Sequence, residues 1–200
     1  MSEPQRAPSG PDFLSKPTLV GDLVTLRCVT ADDLPVLRAL WEDPESSRLT
    51  GSHPRPNADE SKVYAWYATR VGQDDRLDLA VLDNADGAVV GEVVLNDWSP
   101  ANESCGFRIA LVPGHYGRGL GTEATRLLCG YGFEKLGLHR ISLEVYAFNP
   151  RARRAYEKAG FVAEGVLRDA LRWREERVDA TVMSILAPEW ERHGGHPATA

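Results

Sequence analysis

The feature that most constrains this chain is a glycine run, Gly117-Arg118-Gly119-Leu120-Gly121, set between a strand-like and a helix-like segment. Ser104 to Val112 (SCGFRIALV) reads as a strand and breaks at Pro113-Gly114. After the glycines, Leu120, Ala124, Leu127, Leu128 and Tyr131 recur at helical spacing and share one face. Glycines let backbone N–H groups approach a ligand with no Cβ in the way. A helix start adds unbonded donors and a partial positive charge, and Arg118 adds a full one. The turn therefore suits an anion. It is not a P-loop, because Gly121 is followed directly by Thr122 with no lysine. It is not a dinucleotide fingerprint either, because Thr122 stands where a third glycine is needed after Gly119. Taken alone, the run also fits a tight turn that holds nothing.

Composition narrows the setting. The chain has 200 residues, 42% hydrophobic and 26% charged, which fits one globular domain and excludes a largely disordered chain. No apolar run reaches the roughly 18 residues of a membrane helix, and Met1 to Lys16 lacks the apolar core of a secretory signal. Cys28, Cys105 and Cys129 are too few and too scattered for a disulfide framework or a zinc cluster. These features predict a reduced, cytoplasmic protein with no metal and no membrane partner. A net charge of -6 argues against a nucleic-acid partner. The charge is uneven, however. His115 to Arg177 holds 12 Lys/Arg against 8 Asp/Glu, and the remainder is acidic. That contrast fits an anionic ligand on one side and a cationic one on the other, although chance surface charge would give the same pattern.

Residues 1–17 are expected to be a disordered N-terminal tail, 18–188 the folded domain and 189–200 a C-terminal tail. Within the domain, Leu19 to Val29 reads as strand broken at Gly21-Asp22. Thr30 with Asp33 resembles a capping box ahead of Leu34, Leu37, Leu40 and Trp41. Asn57 with Glu60 is a second such start. Leu77–Leu82 and Val89–Trp98 flank an Asn-Ala-Asp-Gly turn and predict a hairpin. Arg140 to Phe148 alternates as a strand with one buried face. Asn149-Pro150 opens a short helix, Arg151 to Ala159, stopped by Gly160. Phe161–Arg172 and Arg177–Leu186 predict a closing hairpin. The order implies an α/β domain with a mixed, mostly antiparallel sheet flanked by helices.

Two motifs about 45 residues end to end then sharpen the reading. Tyr116-Gly-Arg-Gly119-Leu-Gly121 resembles the acetyl-CoA motif of the GNAT N-acetyltransferases, and Asn149 followed seven residues later by Tyr156, ending Lys158-Ala-Gly160-Phe161, resembles their second motif. Leu19 to Asp33 and Asp169 to Ile185 look like the RimJ/RimL-type branch. One residue departs from the pattern: Tyr116 stands where the family has Gln or Arg, which removes a side-chain donor from the loop. The resemblance implies a V-shaped opening between the third and fifth main strands, with acetyl-CoA lying in it as co-substrate. It implies that Ile109, Ala110, Leu111 and Val112 hold the pantetheine arm as if adding a strand. Gly117, Arg118, Gly119, Leu120, Gly121 and Thr122 would cradle the pyrophosphate. Asn149 would bind the pantetheine side, and Arg153 or Arg154 the CoA phosphates.

The implied reaction is direct acetyl transfer to a primary amine: a protein N-terminus, an amino-sugar antibiotic, a polyamine or an amino acid. Such an amine, with a pKa of about 10.4 when it resembles lysine, must lose a proton before it attacks. A backbone N–H near Leu111 is expected to face the oxyanion. Tyr156, two helical turns after Asn149 on the same face, is the candidate donor to the leaving thiolate. Glu92, Asp97 and Glu103 are the carboxylate candidates for the base, and His115 and His139 are further ones. Trp98 is the aromatic to expect as an acceptor-site wall. The competing reading is a non-catalytic acyl-CoA-binding sensor or interaction module, which Tyr116 alone supports. A homodimer through the closing hairpin is a further expectation.

Overall fold

The computed structural model describes residues 11–53 and 60–192. The expected helix start at Asn57 and most of both expected tails, residues 1–10 and 193–200, lie outside them. Eight strands form one sheet in the order β1-β2-β3-β4-β5-β6-β8-β7. They are β1 (Leu19–Val20), β2 (Val24–Cys28), β3 (Leu77–Asp83), β4 (Val89–Ser99), β5 (Ser104–Leu111), β6 (Arg140–Tyr146), β7 (Val162–Trp173) and β8 (Glu176–Leu186). Every neighbouring pair is antiparallel except β5 and β6, which run parallel. That one parallel pair follows from the connection: a crossover helix joins β5 to β6, whereas short turns join β1–β2, β3–β4, β4–β5 and β7–β8.

The helices are α1 (Leu34–Glu42), α2 (Pro44–Thr50), α3 (Glu60–Ala68), α4 (Leu120–Glu134), α5 (Pro150–Ala159) and α6 (Ala187–Arg192). Strand alternation splits the core between the two sheet faces. Leu79, Val81, Val93 and Leu95 pack with Leu120, Ala124 and Leu128 of α4 and with Trp190 of α6. Ala80 turns the other way and packs with Leu34, Leu37 and Leu40 of α1 and with Tyr67 of α3. The predicted cap at Thr30 forms, its backbone N–H donating to Asp33 Oδ2 at 2.7 Å. It opens a 3-10 turn that leads into α1.

Three expectations need correction. The ordered fold begins before residue 18, because Phe13 is 1% exposed in the main core and Lys16 Nζ donates to the carbonyls of Phe13, Gln73 and Arg76. It also runs past 188, because α6 buries Trp190, whose Nε1 donates to Glu134. Trp98 is not an acceptor wall. It packs against Phe13 with ring centroids 5.6 Å apart, on the core side.

Candidate active site

The site follows from where β5 and β6 stop pairing. Their register is Ser104↔Arg140, Cys105↔Ile141 and Gly106↔Ser142, and there it ends. Beyond Gly106 the strands diverge and open a cleft of about 330 Å³. Val112 N–H donates to Val90 O at 2.8 Å. An antiparallel strand alternates the side to which its backbone groups point. Val112, Ala110 and Arg108 therefore bond toward β4, while the N–H and C=O groups of Ile109 and Leu111 face the cleft with no strand to pair them. That is a short free strand edge, suited to an extended arm carrying amides. Gly91, opposite Leu111, makes the close approach of β4 possible, because a Cβ there would stand 2.1 Å from Ala110 O.

The glycine turn closes one end of the cleft. Gly114, Gly117 and Gly119 have φ of +91, +78 and +89, which other residues rarely adopt. Gly119 is the N-cap of α4, and its carbonyl accepts from Thr122 and Glu123 at 3.0 and 3.1 Å. The N–H groups of the first α4 residues are left directed at the cleft, as a helix start requires. Glu123 fixes this turn from behind, accepting from the N–H groups of Asp22, Leu23 and Val24 at 3.1, 2.7 and 2.7 Å. Arg118 points elsewhere. Its guanidinium pairs with Asp83 at 2.6 Å, so it braces the loop against β3 and does not line the cleft. That pair and the Ala85 N–H hold the Asp83 carboxyl below its usual range, the backbone bond contributing most.

The second wall is α5. Asn149 caps it, with Oδ1 accepting from Ala152 N–H at 3.1 Å, and its Nδ2 reaches Leu49 O on α2 at 3.4 Å. Arg151, Arg154 and Lys158 of α5 line the cleft. Arg153 does not, being held along the helix surface by Glu157 at 3.0 Å. Arg151 lies over the ring of Tyr116, 3.7 Å from its centroid. The residue that departs from the family pattern thus holds a cation at the turn by a cation–π contact.

Tyr156 lines the cleft from α5. It is 8% exposed, edge-on to Phe107 and tilted against Phe161. Burial pushes its phenol up to about 12, so it stays a protonated donor throughout the physiological range.

The carboxylates separate clearly. Glu92 pairs across the sheet with Ala110 and accepts a hydrogen bond from Tyr67 at 2.9 Å, on the face that carries α1 and α3. Burial raises its carboxyl, opposed by the Tyr67 hydroxyl and by Arg108. It stands one strand from the cleft, opposite Ala110. Glu103 lies at the paired end of β5, where its carbonyl takes the His139 N–H at 2.7 Å. It is eight residues before Leu111, roughly 25 Å along the strand, so it is withdrawn as a base. Asp97 is exposed near that same end and is hydrogen-bonded by Asn96.

Of the expected co-substrate residues, Ile109, Ala110, Leu111, Gly117, Gly119, Leu120, Gly121, Thr122 and Asn149 come together at the cleft, joined by His115. Val112, Arg118 and Arg153 do not. Glu144, Tyr146 and Arg108 also line it and were missed. Strand alternation places Glu144 and Tyr146 opposite the buried Leu143 and Val145, a signal that did not distinguish a cleft from open solvent.

These features define a cleft between two splayed parallel strands, with a free backbone edge along one wall and a helix start suited to an anion at one end. The acetyltransferase (GNAT) domain matches residues 24–162, and the chain belongs to that family of acetyl-CoA-dependent N-acetyltransferases. The chain is 27% identical over 176 residues to the uncharacterized N-acetyltransferase p20 of Bacillus licheniformis, covering 86% of this chain and 98% of that one. It is 36% identical over 87 residues to the spermidine N(1)-acetyltransferase of Vibrio cholerae, covering 44% and 50%. The crystal structure of the Vibrio cholerae spermidine N-acetyltransferase in complex with CoA and spermine superimposes with a TM-score of 0.79 at 25% identity, over 86% of this chain and 99% of that one.

Proposed function

We propose that this protein acetylates a primary amine by direct attack on the acetyl-CoA thioester, with Glu92, Leu111 and Tyr156 dividing the work. The carrying observation is the free backbone edge of Ile109 and Leu111, which runs from the glycine turn past Tyr156 in one cleft. The acceptor ammonium gives its proton through water to Glu92, whose raised carboxyl is a better base than an ordinary one. The nitrogen lone pair forms the C–N bond, and the Leu111 N–H faces the resulting oxyanion. The C–S bond then breaks, the Tyr156 hydroxyl donates a hydrogen bond to the departing sulfur, and the second proton of the attacking nitrogen passes to that thiolate, leaving the neutral amide and CoA thiol. Ile109 and Asn149 hold the pantetheine arm, and the Ala110 side chain only lines its path. Gly117, Gly119, Gly121, Thr122, Arg151 and Arg154 hold the phosphates.

We place the protein in the RimJ/RimL-type branch, in the cytoplasm, working on amines and not on nucleic acid or membranes. Among the described residues no helix is long and apolar enough to cross a membrane. A homodimer through β7 is supported by its exposed Val162, Val166 and Leu167. The non-catalytic reading loses its one support, because Tyr116 stacks with Arg151 and so brings a cation to the loop. Titration calorimetry with acetyl-CoA, followed by release of CoA thiol on adding amines, tests the proposal. Micromolar binding and acceptor-dependent thiol release are expected. Binding without transfer to any amine would establish the sensor instead.

A further inference from the structure

Arg108 and Glu144 face each other across the mouth of the cleft. Gly106 and Ser142 are the last paired residues of β5 and β6. Two residues further along each strand, on the same face as one another, stand Arg108 and Glu144. Both are exposed and both line the cleft. Among the described residues, Arg108 forms no salt bridge and no hydrogen bond. Its guanidinium acts at a distance on Glu92, Tyr67 and Tyr146, so it belongs to the acceptor side and not to the phosphate side. It stands three residues before Leu111, roughly 10 Å along the strand, at the far end of the cleft from Arg151 and Arg154. The mouth therefore carries one fixed cation on the β5 lip and one anion on the β6 lip, held apart by the opening.

We propose that the acceptor carries a carboxylate beside its reacting amine, as an α-amino acid does, and that Arg108 is the specificity-determining residue that holds this carboxylate. This rests on the N-acetyltransferase reading above and names its substrate class. A guanidinium grips a carboxylate through two parallel N–H bonds. With the carboxylate on Arg108, the adjoining α-ammonium lies over the cleft between the two lips. There Glu144 attracts it, and the water leading to Glu92 takes its proton. The free N–H groups of Ile109 and Leu111 are on the same strand as Arg108. A guanidinium at this point repels the second ammonium of a diamine or polyamine, so the proposal separates this chain from a spermidine acceptor.

The test compares the L-α-amino acids, their α-amides and spermidine as acceptors, by CoA-thiol release, with wild type, Arg108→Gln and Arg108→Lys. Calorimetry with acetyl-CoA on each protein confirms that the co-substrate site is intact. The expected result is kcat/KM at least 10- to 100-fold higher for the preferred amino acid than for its amide, the scale of a charge-assisted pair. That ratio falls to within about threefold in Arg108→Gln and is partly restored in Arg108→Lys, with the change carried by KM. An amide that serves as well as its acid, or a ratio unchanged in Arg108→Gln, overturns the proposal. Transfer to spermidine alone overturns it too but leaves the N-acetyltransferase reading standing. No transfer to any acceptor in the panel overturns both.

Discussion

Gly119 offers a way to weigh a single charge against the expected position of the CoA diphosphate. Its φ of +89 makes most side chains strained there, and a Cβ would lie 3.1 Å from Leu23 Cδ1, a methyl at the end of a flexible side chain. Asn and Asp tolerate positive φ best among residues with a Cβ, and each should lose about 1–2 kcal/mol of stability from the backbone alone. The two are isosteric, so the strain cancels between them and the charge remains. A carboxylate roughly 6 Å from two phosphate charges, at an effective dielectric between about 40 and 80, is repelled by about 1.4–2.8 kcal/mol. Gly119→Asp should therefore bind acetyl-CoA about 10- to 100-fold more weakly than Gly119→Asn, with matching melting temperatures. Calorimetry reads the affinities. The acetyl thioester of N-acetylcysteamine, which lacks phosphate, should not distinguish the two variants as acyl donor. Equal affinity of both variants for acetyl-CoA would remove the diphosphate from the start of α4.

Other consequences are as specific. Tyr156→Phe should lower kcat by about 100-fold with acetyl-CoA affinity held within twofold, since only the bond to the leaving sulfur is lost; unchanged turnover would exclude Tyr156 from the mechanism. Glu92→Gln should abolish the acidic limb of the kcat/KM profile. Tyr67→Phe should move that limb to higher pH, because the Tyr67 hydroxyl opposes the burial that raises Glu92; a limb that stays in place would assign it to another group. Gly91→Ala should lower both melting temperature and acetyl-CoA affinity, because the new Cβ displaces the β5 backbone at Ala110 and Leu111. Glu164 is held at about 2, first by Arg140 and then by Ser184. A depressed carboxyl contributes stability above its unfolded pKa and loses it as pH falls through the folded value. Glu164→Gln should thus be less stable than wild type at neutral pH, and the two thermal curves should converge toward pH 2; a constant gap across that window would refute the linkage.

Much of the fold was legible because its signals are local. The alternation in Arg140–Tyr146, the cap at Thr30, the Asn84–Gly87 turn and the Pro150–Ala159 helix stopped at Gly160 each follow from a few neighbouring residues, and each forms where expected. The site was legible where backbone geometry demands particular residues, as at Gly117 and Gly119 with their positive φ. It failed for side chains that a partner draws away from the cleft. Arg118 and Arg153 look alike as phosphate ligands, yet Asp83, distant in the chain, takes one, and Glu157, one helical turn on, takes the other. Glu103 and Glu92 look alike as bases, yet Glu92 sits on β4 opposite Ala110, at the open end of β5, and Glu103 precedes β5 at its paired end.

The sequence by itself determined that a strand runs into a glycine turn and a helix start suited to an anion, and that an Asn–Tyr helix follows the next strand. Those are consequences of allowed backbone angles and of helical and strand periods, which act over a few residues. Only the tertiary structure decided that β5 and β6 part after Gly106, that Ile109 and Leu111 are left with free amides, and that Arg108 and Glu144 confront each other across the gap. Strand pairing is set by contacts between segments dozens of residues apart. Which side chain faces a cleft, a partner charge or water is therefore fixed when those segments meet, and no local pattern carries it.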